Sequence, residues 1–177
     1  MVRKVCISVI GSGNSDGTLS PEIAKIANEV GREIAVRGAV LICGGLGGVM
    51  TEAAKGAKEK GGLTIGIIPG ENPNSANPYI DIPIPTGLGF ARNVLVAYSG
   101  DAVIAVSGRL GTLSEISFAL IRRKPVIGIC TWDLNQLEPL EDYGYGIIKC
   151  KNAKEAVEKA FTLIRDRTTF QNTSSVT

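Results

Sequence analysis

Residues 39–70 read AVLICGGLGGVMTEAAKGAKEKGGLTIGIIPG. Two apolar runs, Ala39–Cys43, which is unbroken, and Leu63–Ile68, in which Thr64 is the one polar residue, flank a glycine loop and a segment, Val49–Lys60, in which Ala53, Ala54, Gly56 and Ala57 make a small face. A strand without polar alternation is buried on both sides. Two such strands joined through a helix form a parallel crossover. The small face lets this helix lie close to the sheet it covers.

Toward the N-terminus, Lys4–Ile10 reads as another strand, followed by the loop GSGNSDGTLS at 11–20. Ser20-Pro21-Glu22 opens a helix, with Ser20 as N-cap and Pro21 at the first helical position. Ile23, Ile26, Ala27, Val30 and Ile34 share one face at helical spacing, and Gly38 ends it. Toward the C-terminus, PGENPNSANPY at 69–79 is too rich in proline and asparagine for regular structure. Tyr79–Ile84 reads as a short strand whose prolines place it at a sheet edge. A helix over Gly89–Ser99, a strand over Ala102–Val106 and a helix over Thr112–Arg122 follow. Pro125–Cys130 and Gly146–Cys150 read as strands separated by an irregular stretch holding Trp132 and Tyr143. A last helix over Ala153–Arg165 carries Ala156, Val157, Ala160, Phe161 and Ile164 on one face, and TTFQNTSSVT reads as a frayed tail.

The alternation of buried strands and amphipathic helices predicts an α/β protein with a doubly wound, mainly parallel, Rossmann-like sheet and helices on both faces. One domain is expected over residues 1–166, with a flexible tail over 167–177. A closed barrel needs more chain. In an open sheet of this kind the ligand sits beyond the carboxyl ends of the strands, where the strand order reverses.

Composition narrows the chemistry. Among 177 residues there are 22 glycines and no histidine. The absent histidine excludes Ser-His-Asp and Cys-His catalysis and any His-ligated zinc, copper or haem. No metal site is expected. A net charge of +2 without a basic stripe gives no electrostatic case for nucleic-acid binding. Cys6, Cys43, Cys130 and Cys150 lie far apart, with no CxxC pair, and are expected to be buried, reduced thiols. No apolar run approaches the ~20 residues of a membrane span, and no N-terminal signal pattern is present. A soluble, cytoplasmic protein is the expectation.

The glycine excess is local. Gly11, Gly13 and Gly17 follow the first strand, Gly44, Gly45, Gly47 and Gly48 the second, and Gly108 and Gly111 the Ala102–Val106 strand. Each loop leads into a helix start, where free N–H groups and the dipole favour an anion; tight turns alone are the other reading of the same glycines. GxGxxG fails at position 16, which is Asp, and Cys43-Gly44-Gly45 replaces the acidic ribose ligand at the second strand end, so a dinucleotide is disfavoured. No GK[ST] occurs, so a Walker loop is excluded.

Thr112-x-x-Glu115 within SGRLGTLSE fits a capping box. It also fits a phosphate held at Gly111-Thr112, with Glu115 one turn into the helix. Arg92 in GLGFARNVL sits among Phe90, Val94 and Leu95. It reads either as a surface salt bridge or as a bidentate grip on phosphate or carboxylate. The ligand-binding candidates are Gly11, Ser12, Gly13, Gly44, Gly45, Gly47, Asn93, Gly108, Arg109, Gly111 and Thr112.

At these residues the sequence resembles the LOG-like, or SLOG, Rossmann superfamily, which includes cytokinin-activating phosphoribohydrolases and molybdenum cofactor carrier proteins. The resemblance runs from about Lys4 to Lys149. CGGLGGVMTEAAKGAKEKGGLTIGIIPG resembles the family's glycine-rich second loop, helix and third strand. Arg92-Asn93 stands where the hydrolases carry Arg-Lys, and GRLGTLSE stands where they carry PGGxGTxxE. The resemblance implies phosphate binding by Gly108, Gly111 and Thr112, and a catalytic pair of Arg92 and Glu115. Ser107, Arg109 and Asn93 depart from the hydrolase pattern and bring the chain closer to the carrier-type branch.

Two functions follow. The first is binding of a nucleotide-like phosphate, with hydrolysis of a nucleoside 5′-monophosphate to free base and ribose 5-phosphate through Glu115; no cofactor is required for it. The alternative is a non-catalytic carrier of a molybdopterin-type cofactor, with the 69–79 loop folding over the ligand. A homodimer or larger homo-oligomer is expected from the small residues along the helices and from the resemblance.

Overall fold

The computed structural model describes residues 3–13, 19–134 and 146–174. Seven strands form one sheet: β1 (Cys6–Gly11), β2 (Val40–Cys43), β3 (Thr64–Ile68), β4 (Ile82–Pro85), β5 (Ala102–Val106), β6 (Val126–Ile129) and β7 (Ile147–Lys149). Their order is β4-β3-β2-β1-β5-β6-β7, and every pairing is parallel. The expected doubly wound Rossmann-like sheet is therefore what forms. The order reverses between β1 and β5, which pair from Ile7↔Ala102 to Gly11↔Val106.

The helices are α1 (Pro21–Val36), α2 (Val49–Glu59), α3 (Asn93–Ser99), α4 (Leu110–Ile121) and α5 (Ala153–Ser174). The two-residue period of the strands sorts their side chains between faces. Ile7, Val9, Leu41, Cys43, Ile104 and Ile127 pack with α1, α2 and α5. Ile10, Val40, Ile42, Val103, Ala105 and Val126 pack with α3 and α4. Ser8, the buried polar residue of β1, donates to the Val96 carbonyl at 2.6 Å and so ties α3 to the sheet.

The small face of α2 serves a helix contact as much as the sheet. Gly56 lies against the backbone of Asn28 on α1, and Gly31 of α1 lies against the Ala53 carbonyl. A Cβ at either position would enter the other helix. Ala53 and Ala57 still face the strands.

Several expectations change in detail. Residues 89–99 are not one helix: a 3-10 turn, Gly89–Arg92, precedes α3. That break sets which side chains point inward, and Phe90 and Leu95 are exposed. The edge strand is Ile82–Pro85, at the end of the sheet as its prolines require. The helix at the C-terminus runs on to Ser174, past its expected end at Arg165. All four cysteines are free, but only Cys43 is buried; Cys6 and Cys150 are half-buried and Cys130 is exposed. Cys130 follows the last paired residue of β6 with φ +50, so the chain turns there and carries the thiol outward. Gly17 and Tyr143 lie outside the described residues.

Candidate functional site

A cleft of about 630 Å³ opens beside the point where the strand order reverses. Gly11 at the end of β1 lines it with Ser12 and Gly13; Gly44 and Gly47 line it from the loop after β2. The turn before α3 contributes Arg92 and α3 begins with Asn93; the start of α4 contributes Arg109, Gly111, Thr112 and Glu115. Eleven of the thirteen sequence-derived candidates thus share one wall. Gly45 and Gly108 do not. Gly45 turns at φ +73 beneath the Ile68 side chain, and Gly108, at φ +135, packs against Thr112.

The glycines divide by what a side chain would meet. At Gly11 a Cβ would collide with the Val106 carbonyl and Val49, and at Gly48 with the Ser12 carbonyl. Val49 N–H donates to that same Ser12 carbonyl at 2.9 Å, so the first two loops touch backbone to backbone. These glycines serve packing. A Cβ at Gly44 would displace the Arg92 guanidinium, which makes this glycine the seat of the arginine. Gly13 and Gly111 are different. Their nearest atoms would be Met50 Cε at 3.9 Å and Asn93 Nδ2 at 3.8 Å. The protein's own packing leaves room for a side chain there, so close approach of a ligand is what glycine at these two positions permits.

At the cleft wall, Arg92 Nη1 lies 3.5 Å from Glu115 Oε1, and both side chains are about nine-tenths buried. Arg92 Nε is buried without a hydrogen-bond partner among the described residues. Burial pushes the Glu115 carboxyl up to about 7, against the opposing pull of Arg92. Burial likewise lowers Arg92, while Glu115 and Cys43 hold it up. The guanidinium stays charged in any case. Behind it, desolvation raises the Cys43 thiol to about 11, so that sulfur remains neutral.

The capping box does not form. The helix begins at Leu110 with Arg109 as N-cap, and no side-chain capping bond is made. Ser107 at φ +55 and Gly108 at φ +135 turn the chain into the helix two residues early. Thr112 then buttresses Gly108, and Glu115 turns toward Arg92 instead of reaching back to Thr112. Asn93 lines the cleft, yet its amide is engaged: Nδ2 donates to Ser114 Oγ at 3.0 Å and to the Gly111 carbonyl at 3.4 Å. It clamps the first turn of α4. The 69–79 loop is pinned to the second glycine loop, with Asn77 N–H on the Gly45 carbonyl at 2.8 Å and Asn77 Nδ2 on the Leu46 carbonyl at 2.9 Å. Of that loop, Pro69 reaches the cleft.

Sequence reasoning missed most of the apolar lining, namely Val9, Ile10, Leu46, Met50 and Phe90; Pro69 belongs to the 69–79 loop expected over the ligand. Leu46 and Met50 belong to the CGGLGGVM stretch and Phe90 to the glycine-flanked GLGFAR turn. A large apolar residue inside a glycine turn was the available signal. Among the described residues no cluster of His, Cys, Asp or Glu is placed to hold a metal. No helix among them is long and apolar enough to cross a membrane.

Comparison with known proteins agrees with this architecture. The model of the SLOG cluster4 family matches residues 4–157. An uncharacterised protein of Archaeoglobus fulgidus is 49% identical over 123 residues, covering 70% of this chain and 78% of that one. The structure of a molybdenum cofactor binding protein from the phototrophic bacterium Rippkaea orientalis superposes with a TM-score of 0.82 at 38% identity, over 93% of this chain and 99% of that one. The molybdenum cofactor carrier protein of Chlamydomonas reinhardtii superposes with a TM-score of 0.82 at 37% identity, over 92% of this chain and 99% of that one. A parallel seven-stranded sheet, glycine loops meeting at its reversal point and a match over residues 4–157 lead to one conclusion: the chain belongs to the SLOG cluster4 family.

Proposed function

We propose that this protein binds and carries a molybdopterin-type cofactor, a phosphorylated heterocycle with a flat pyrimidine ring, in the cleft at the β1–β5 reversal. The observation that carries the reading is likeness to two molybdenum cofactor-binding proteins over 99% of their length. The cleft suits such a cargo. Its volume of about 630 Å³ lies within the ~300–1,000 Å³ of small-molecule sites. Gly13 and Gly111 leave open approaches, Arg92 brings a cationic side chain to the lining with its buried Nε unpartnered among the described residues, and Leu46, Met50 and Pro69 offer apolar surface. The protein's part is to bind, orient and shield the cargo; the metal chemistry belongs to the cargo itself.

Hydrolysis of a nucleoside 5′-monophosphate is less well supported. An oxocarbenium-like transition state wants an uncompensated carboxylate. Burial raises the Glu115 carboxyl to about 7, which favours its neutral form, and the buried Arg92 charge stands 3.5 Å away. Ser107 stands where the hydrolase motif has proline, at a φ of +55 that proline cannot adopt. The phosphate loop of this chain therefore follows its own path.

The test is direct. Cofactor released anaerobically from a molybdoenzyme is mixed with the protein, and the protein fraction from gel filtration is oxidised and assayed for pterin fluorescence. About one pterin per chain is expected, and no free base from a panel of nucleoside monophosphates. Absence of retained pterin refutes the carrier reading, and base release revives the hydrolase. A homo-oligomer in the cytoplasm is part of the proposal; the exposed Leu110 and Ile121 of α4 support self-association, which sedimentation would measure.

A further inference from the structure

Among the described residues, Phe90 is the large apolar side chain least covered by the fold. It is 89% exposed, more than any other large apolar residue described, and it lines the same cleft as Arg92 two positions on. Its backbone is held firmly. Gly89 N–H donates to the Pro69 carbonyl at 2.9 Å, Ala91 N–H donates to the Leu88 carbonyl at 3.1 Å, and Asn93 N–H closes on Phe90 itself. An aromatic ring displayed in water on a fixed turn contributes nothing to the core. Close by, Arg92 Nε is buried and unpartnered in the cleft wall, an N–H donor without an acceptor. One short turn thus places in the lining of one cavity an uncovered aromatic ring and an arginine whose buried Nε lacks a partner among the described residues.

We propose that Phe90 is the specificity-determining residue of this cleft, its ring stacking on the face of an aromatic heterocycle whose anionic group is taken by Arg92. The inference rests on the carrier reading and deepens it, because it says which ligands are admitted. A planar ring and an anion must belong to one molecule; a sugar phosphate without a ring forfeits the stacking half. Aromatic rings prefer offset stacking, and a π face is offered by any flat heterocycle. Leu46, Met50 and Pro69 supply apolar surface in the same cleft.

Truncating Phe90 should weaken cofactor binding without weakening the fold. Stacking on an aromatic side chain is worth about 1–3 kcal/mol per ring, so Phe90→Ala is expected to lower affinity for the released molybdopterin cofactor about 5- to 150-fold. Its thermal midpoint should stay that of the wild type, since the ring buries almost no surface. Phe90→Leu, apolar but flat-faced no longer, should behave like Phe90→Ala. Phe90→Trp should bind like wild type, and its new indole emission should be quenched on binding; Trp132 is the chain's single native tryptophan. Wild-type retention of pterin together with equal retention by Phe90→Ala overturns this proposal and leaves the carrier reading standing. Equal affinity of Phe90→Leu and wild type also overturns it, because contact without stacking would then suffice. A Phe90→Ala protein that keeps the cofactor but no longer delivers it to a cofactor-free molybdoenzyme would assign the ring to protein docking instead. If the wild type retains no pterin, the carrier reading itself fails.

Discussion

Replacing Glu115 by glutamine removes the one carboxyl that, among the described residues, burial holds near neutrality. In the folded protein this group titrates at about 7 against an ordinary 4.5, because desolvation outweighs the attraction of Arg92. Between those two pH values the folded state binds a proton that the unfolded state has released. Stability therefore falls as pH rises through this window. It is fully present below about 4.5 and lost once pH passes about 7. At about 1.4 kcal/mol per pH unit the loss amounts to about 3 kcal/mol. Arg92 remains charged and Cys43, at about 11, remains neutral over the whole range, so neither adds a slope. All other carboxylates titrate alike in both proteins and cancel in the difference. Urea unfolding followed by circular dichroism at pH 4, 5, 6, 7 and 8 gives the two stability curves. The Glu115→Gln curve should rise relative to wild type by about 3 kcal/mol from pH 4 to pH 8, with equal m-values confirming a common unfolded state. Arg92→Met should extend the wild-type decline beyond pH 7, since the opposing charge is gone. A difference between Glu115→Gln and wild type that is flat across the series would refute the argument, because Glu115 would then not carry a perturbed proton.

Other consequences are independent of the ligand. Gly31→Ala and Gly56→Ala each drive a methyl into the backbone of the facing helix; each should destabilise by roughly 2–3 kcal/mol in denaturant melts, opposite in sign to the usual ~1 kcal/mol gain of Ala over Gly in a helix. Ser107→Pro moves the sequence toward the hydrolase motif but loses the N–H bond to the Ile129 carbonyl and the φ of +55. A loss of roughly 2–3 kcal/mol is expected, with no base release gained. A thiol reagent at neutral pH should modify Cys130 rapidly and Cys43 only after unfolding, as counted by mass spectrometry of peptides. Gly44→Ala should fold with a near-native melting point, since a flexible arginine yields to the methyl, yet should retain far less pterin in the gel-filtration assay.

The architecture was legible because its signals are local. Runs such as Val40–Cys43 and Ala102–Val106 are buried on both faces and show it by having no polar alternation, and Ser20-Pro21 marks a helix start through bonds spanning three residues. The glycine loops could be placed at strand ends by the same reasoning, which was enough to find eight of the lining residues; Arg92, Asn93 and Glu115 came from the motifs and the resemblance beside them. Helix beginnings governed by backbone torsion were not legible. Thr112 and Glu115 have the spacing of a capping box, but the left-handed Ser107 decides that the helix starts at Leu110.

The roles of individual residues depended on long-range contact. In one loop, Gly44 seats an arginine 48 positions away and Gly45 packs under Ile68; no local pattern distinguishes them. Gly11 and Gly13 likewise differ only in what the fold brings opposite them. Sequence by itself determined the layers, the parallel sheet and the place of the cleft, since period and composition report how neighbouring residues partition between core and water. Tertiary structure alone decided that Glu115 and Arg92 are buried against each other, that Arg92 Nε has no partner among the described residues and that Phe90 stands uncovered. Desolvation and unsatisfied hydrogen bonding are properties of the surroundings a residue acquires when distant loops converge, and those surroundings exist only in the folded chain.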